Sequence, residues 1–218
     1  MKLRIENLHF SYHPKERKIF DGFNISVEEG ETLAILGNSG CGKSTLLRII
    51  SGLEENAQGT IKVGNTIIQD DSFFVPVEQR NIGFVFQDYA LFPYMTVEQN
   101  IKFGMKKPCS QQLHQLLELT QLEELKKRYP HELSGGQQQR TALARTLASK
   151  PTLLLMDEPF SNLDTNLVDE LRKDLKQIIK SQNITTVLVT HNRDDADFLA
   201  DKVLVFRDNK HSTPFTCS

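Results

Sequence analysis

The sequence predicts an α/β protein with a mostly parallel sheet, an antiparallel β part near its beginning and a helical lobe inserted between strands. Three features carry this reading. TLAIL (32–36) is a short continuous apolar run, the mark of a strand buried on both faces. Strand-like and helix-like segments alternate along the chain, which implies a parallel sheet covered on both sides. From about Asp88 to Lys150 the texture turns helical, between strand patterns that precede and follow it.

Taken in order, Phe23, Ile25 and Val27 alternate with polar neighbours, as a half-buried strand requires. TLAIL then runs into a Gly-rich loop and the segment STLLRIISGL, a helix closed by Gly52. IKVGNTII sets Gly64-Asn65 between two β-branched runs, the spacing of a tight two-residue hairpin. NIGFVF (81–86) reads as another strand. Within the helical stretch, QQLHQLLELTQLEELKK carries Leu113, Leu116, Leu117, Leu119, Leu122 and Leu125 at helical spacing. TLLLM (152–156) reads as a strand, and a helix near 166–180 carries Leu167, Leu171, Leu175 and Ile178 on one face. TTVLVT (185–190) and DKVLVF (201–206) read as the last strands. The tail HSTPFTCS has no periodicity and reads as a frayed end.

At 218 residues the chain fits a single domain with an inserted lobe. Lys plus Arg total 26 against 28 Asp plus Glu, a net charge of −2, which disfavours electrostatic wrapping of nucleic acid. No apolar run approaches the roughly 20 residues of a spanning helix, so any work at a membrane needs other subunits to supply the span. MKLRIENLHF lacks the apolar stretch of a secretory signal. Cys41, Cys109 and Cys217 are odd in number and widely spaced, which argues for reduced thiols in the cytoplasm over a disulfide framework or zinc site.

The first chemical signal is Gly37-Asn38-Ser39-Gly40-Cys41-Gly42-Lys43-Ser44-Thr45. Its glycines let the backbone turn N–H groups toward an anion, and the following helix adds its positive end. Lys43 can reach outer phosphates and Ser44 can place its hydroxyl on Mg²⁺, which makes this the core of a P-loop NTPase. LLLMDEP (153–159) then ends four apolar residues in adjacent carboxylates at a strand's C-terminal edge. Asp157 fits holding Mg²⁺ from one bond further out, and Glu158 fits positioning or deprotonating a water. In LSGGQQQR (133–140), Ser134, Gly135 and Gly136 at the start of a helix form a second anion site. Two half-sites on one chain make sense if two copies meet head to tail around each ATP.

On these motifs and their order the chain resembles the ATP-binding cassette superfamily, from about Met1 to Phe206. The resemblance implies an ATP-hydrolysing subunit that uses ATP and Mg²⁺, with Lys43, Glu158, Gln87 and His191 as catalytic residues. Gln87 corresponds to a glutamine that touches Mg²⁺ and the attacking water, and His191 to a histidine on the γ-phosphate. Ser161-Asn162-Leu163-Asp164 matches the loop that crosses the dimer interface, placing Asp164 with Ser134, Gly135, Gly136 and Gln137 around the nucleotide. Tyr12 matches the aromatic that stacks on adenine.

RNIGFVFQDYALFPYMTVEQNI and DEPFSNLD are similar to the importer branch serving ferric iron, polyamines, sulfate and molybdate, with a lean toward ferric iron. Tyr89, Leu91, Phe92, Pro93, Tyr94 and Met95 resemble the groove that receives a helix of the membrane subunits; packing of the lobe is the alternative role. The implied partners are a second copy, integral membrane permease subunits and, indirectly, a solute-binding protein, at the cytoplasmic face of the membrane. A cassette ATPase acting on ribosomes or chromosomes is the competing reading. Because the chain stops at Ser218, the β-rich regulatory domain frequent in that branch is not expected.

Overall fold

The computed structural model describes residues 2–13, 18–161, 163 and 165–206, with 165–167 described by backbone alone. Asn162, Asp164 and the 207–218 tail with Cys217 lie outside the described residues. Two sheets organise the chain. β1 (Leu3–Phe10), β2 (Phe20–Val27), β4 (Gln58–Val63) and β5 (Thr66–Gln69) form an antiparallel sheet in the order β2-β1-β4-β5. Val63 pairs with Thr66 across Gly64-Asn65, so the expected hairpin forms, with Gly64 at φ +60°. The inward set on β2 is Phe20, Phe23 and Val27, while Ile25 is half-buried.

The second sheet is parallel throughout: β6 (Ile82–Val85), β7 (Leu153–Asp157), β8 (Thr186–Thr190), β3 (Thr32–Gly37) and β9 (Lys202–Phe206), in that spatial order. Parallel strands end on the same side, so whatever follows β6, β7, β8 and β3 is gathered along one edge. That registry, with Leu36 opposite Thr190 and Asp157 opposite Val189, builds the site.

The parallel sheet separates two apolar cores. Alternate residues Ala34, Leu154, Met156 and Leu188 join a core with the helices that follow β6 and with α5 (Thr165–Ser181) and α6 (Arg193–Leu199). Leu33, Ile35, Leu153, Leu155, Val187 and Val189 face the other way, onto the antiparallel sheet and α1 (Lys43–Ser51). Leu46, Leu47, Ile49 and Ile50 of α1 are wholly buried there, worth roughly 2 kcal/mol apiece. Helix α1 ends at Gly52, φ +86°, and Arg80 reaches over that end, its guanidinium donating to the carbonyls of Ile49 and Ile50 at 3.0 and 2.9 Å. Burial pulls the Arg80 pKa down to about 10.

Between β6 and β7 lie α2 (Val97–Phe103), α3 (Ser110–Leu119), two short 3-10 turns and α4 (Gly135–Ala148). The leucine-rich stretch is not one helix. Thr120 turns its hydroxyl back onto the Leu116 carbonyl at 2.7 Å, Gln121 takes φ +57°, and Leu122 is wholly buried after the reversal. Gln121 is held there by Arg140 of α4, which donates to its Oε1 at 3.1 Å. Helix α6 was not among the sequence expectations; Asn192 caps it by accepting from the Asp194 N–H at 2.8 Å.

Helices α2 and α4 approach at Gly104, where a Cβ would lie 2.0 Å from the Arg145 carbonyl oxygen. Gly104→Ala is therefore expected to force the two backbones apart and lower stability by roughly 2 kcal/mol. Urea denaturation checks this, and an unchanged midpoint would refute the close approach.

Candidate functional site: a phosphate cradle on four strand ends

The Gly-rich loop leaves the end of β3 and enters α1 through Gly40 (φ +82°) and Gly42 (φ +99°), left-handed conformations that favour glycine. Gly42 offers no side chain to cap α1, so the first N–H groups of the helix are left for an incoming anion. Asn38, Ser39 and Gly40 are exposed, Cys41 is half-buried against Gly37, and Lys43 and Thr45 are buried. The Lys43 ammonium donates to the carbonyls of Gly37 and Asn38 at 2.8 and 3.0 Å and lies 3.7 Å from Glu158 Oε1.

Asp157 ends β7, and Ser44 donates its hydroxyl to Asp157 Oδ1 at 2.8 Å. Burial is the main cause that raises the Asp157 pKa, with the neighbouring Glu158 charge pushing the same way and the Ser44 hydrogen bond opposing. The environment thus disfavours the Asp157 anion, a penalty absent below the ordinary value of 3.8 and growing as pH rises through the raised value. Asp157→Asn should raise the melting temperature at neutral pH, with the gain vanishing below that ordinary value. Scanning calorimetry at the two pH values checks it, and a lower neutral-pH melting temperature would refute it.

Glu158 follows at φ +45°, an uncommon conformation for a side chain of this size. Its Oε2 contacts His191 Nδ1 at 2.8 Å, and its backbone N–H donates to the Val189 carbonyl at 3.0 Å. His191 comes directly after β8 and Gln87 two residues after β6. Gln87 Nε2 donates to Ser161 Oγ at 3.2 Å, and Ser161 donates to the Glu158 carbonyl at 3.1 Å. A continuous polar chain therefore runs from Gln87 through Ser161 and Glu158 to both His191 and Lys43. Beside it an open cleft of about 460 Å³ is lined by Glu158, Ser161, His191 and Asn192 among others.

Tyr12 is half-exposed, its hydroxyl 3.0 Å from Thr45 Oγ1 and its ring edge-on to Phe10 at 5.0 Å, which puts an aromatic face next to the loop. Ser134 lies elsewhere, as the cap of α4. Its Oγ accepts from the Gln137 N–H at 3.4 Å while Gln137 Oε1 accepts from the Ser134 N–H at 3.0 Å. Gln137, implied by the resemblance to lie at the nucleotide, thus closes a reciprocal capping box with Ser134. Gly136 is buried, and a Cβ there would lie 2.9 Å from Leu171 of α5. Among the described residues, no hydrogen bond or ion pair joins Ser134, Gly135 or Gly136 to the loop at 37–45 or to Asp157 and Glu158.

The stretch after Gln87 divides. Tyr89 is buried, its hydroxyl 3.5 Å from the Pro159 carbonyl, so it packs the interior and does not line a groove. Tyr94 is 92% exposed and Phe103 62%, with the Phe92 and Phe103 rings in tilted contact at 4.5 Å. Arg145, overlooked in the sequence, donates to the carbonyls of Tyr89 and Ala90 at 2.9 and 2.7 Å, two consecutive residues at positive φ. A lone arginine on a helix carries no signal that it will clamp a turn 55 residues earlier.

A strand, glycine loop and helix, with carboxylates at the end of β7, one strand removed from β3 across β8, define the P-loop NTPase fold. The chain belongs to the ABC transporter family, whose model matches residues 20–161. It is 44% identical over 214 residues to the Fe(3+) ions import ATP-binding protein FbpC of Mesorhizobium japonicum, covering 96% of this chain and 59% of that protein. It is equally 44% identical, over 216 residues, to the sulfate/thiosulfate import ATP-binding protein CysA of Pseudomonas aeruginosa, covering 94% of this chain and 64% of that one. Among solved structures it resembles the dimeric ATP-binding cassette MJ0796 in a post-hydrolysis state bound to ADP and Pi (TM-score 0.77, 30% identity, 94% of both chains). The chain spans about three-fifths of the length of these curated relatives. No helix among the described residues is long and apolar enough to cross a membrane.

Proposed function

We propose that this chain binds and hydrolyses ATP as the motor subunit of an importer, driving solute uptake through separate membrane-spanning subunits. The observation that carries the reading is the convergence of Lys43, Glu158 and His191 beside the Ser44–Asp157 pair, at the ends of adjacent parallel strands. Phosphoryl transfer asks a protein chiefly for positioning and charge stabilisation. Lys43 and the loop amides hold the phosphates. Glu158 orients an attacking water and accepts its proton, with His191 fixed to its other oxygen and Gln87 tethered through Ser161.

The hard oxygen donors of Ser44 and Asp157 suit Mg²⁺, with Gln87 nearby; among the described residues no cluster of three His, Cys, Asp or Glu would hold a metal alone. That is the donor set of an ion that arrives with phosphates. Bound there, Mg²⁺ would neutralise charge on the outer phosphates.

Because, among the described residues, Ser134 and Gly136 make no bond to the cradle of their own chain, the second phosphate half-site serves a second copy, head to tail. The dimeric structural neighbour supports a pairing of two copies. The exposed Tyr94 and Phe103 face is offered to the permease at the inner side of the membrane. The relatives named for ferric iron and for sulfate import are equally identical, so an inorganic ion is the solute class, with ferric iron first.

The test is capture. Tagged Glu158→Gln protein, trapped with Mg-ATP in gently solubilised native membranes, should bring down a multi-span permease, identified by mass spectrometry. Its companion solute-binding protein can then be tested with ferric iron and sulfate. Recovery of ribosomal or chromosomal proteins instead would overturn the transport reading.

A further inference from the structure

Among the described residues, the most buried charged pair outside the cradle lies on the two helices that flank the His191 segment. Asp195 in α6 is 4% exposed and Arg172 in α5 is 9% exposed. Asp195 Oδ1 accepts from Arg172 Nε at 2.7 Å and from Arg172 Nη2 as well, while Oδ2 accepts from the Thr190 hydroxyl at 3.1 Å. The Thr190 oxygen in turn accepts from the Asn192 N–H at 3.0 Å. His191 is the residue between these two. The remaining Arg172 nitrogen donates to Asp169 at 2.8 Å, so every arm of the guanidinium is directed.

Buried ion pairs are weak stabilisers compared with apolar residues of equal volume, but their bonds fix direction. Here Asp195, held by two arms of Arg172, carries that direction to Thr190 at the start of the segment 190–192 that presents the imidazole to Glu158, while the third arm ends on Asp169. The same helix, α5, carries Leu171 against Gly136 and Asp174 in an ion pair with Arg140 of α4.

We propose that Arg172 and Asp195, acting through Thr190, are positioning residues that set the His191 ring against Glu158 and leave its other nitrogen for the substrate. The inference rests on the ATP-hydrolysis reading of the site. Both residues line the cleft beside Glu158 and His191, but their hydrogen bonds go to Asp169, Thr190 and each other and none to the phosphate loop, so nucleotide affinity should be spared and turnover should suffer.

Asp195→Asn is expected to lower kcat about 30-fold, with KM for ATP within about threefold of wild type. Arg172→Lys should recover much of the loss that Arg172→Met causes. In a His191→Ala background, Asp195→Asn should cost less than about twofold, because its effect runs through the missing ring. A readout independent of turnover is deuterium exchange, which should speed up about tenfold over 187–195 in Asp195→Asn and stay unchanged in β3 and α1.

Wild-type kcat in Asp195→Asn, an equal loss in the His191→Ala background, or exchange raised across the whole chain would each overturn the proposal. If the wild-type protein hydrolyses no ATP, the functional reading fails. The exchange comparison still decides positioning: a rise confined to 187–195 supports it and no rise overturns it.

Discussion

Glu158→Gln should lower ATP hydrolysis by about three orders of magnitude while leaving ATP affinity within a few-fold of wild type. The substitution keeps the shape of the side chain and a contact for His191 Nδ1, now 2.8 Å from Glu158 Oε2. What disappears is the ability to take a proton from water, together with the negative charge 3.7 Å from Lys43. With the product-forming step blocked and the nucleotide retained, the variant should also accumulate as an ATP-bound pair on gel filtration. Single-turnover hydrolysis measures the first effect, and a variant that turns over within tenfold of wild type would remove Glu158 from its role.

Lys43→Ala should act on binding. Its ammonium is the one buried cation in the loop, aimed by the carbonyls of Gly37 and Asn38 at the place where outer phosphates would lie. Removing a buried charge that meets a phosphate costs about 3 kcal/mol, roughly a hundredfold in Kd. Titration with a fluorescent ATP analogue tests it. Circular dichroism should match wild type, because α1 is anchored by Leu46, Leu47, Ile49 and Ile50 and needs no lysine. Unchanged affinity would mean that the phosphates sit elsewhere.

Much of this site could be read from the sequence because its parts are local. The glycine loop needs particular residues at consecutive positions, and Asp157-Glu158 follow an apolar run whose direction places them at a strand end. What escaped reading depends on elements far apart in the chain. Arg80 closes α1 from 30 residues away, Arg145 clamps Tyr89 and Ala90, and Arg172 meets Asp195 across 23 residues. Periodicity was misleading at Leu122, where the leucine spacing continues but Gln121 reverses the chain so that Leu122 is buried from a different direction. Tyr89 shows the same limit. Its neighbours Tyr94 and Phe103 are exposed, and composition gives no way to separate a buried aromatic from its exposed companions.

The division of the interior by the parallel sheet has an evolutionary consequence. Ala34, Leu154, Met156 and Leu188 belong to the layer shared with the helical lobe, whereas Leu33, Ile35, Leu153 and Leu155 belong to the layer under the phosphate-loop helix. A volume change in one layer is screened from the other by a rigid backbone partition, so compensating substitutions need be sought only on its own side. The helical-lobe side can therefore drift while the side under the phosphate loop stays unaltered, one chain inheriting two separate mutational histories.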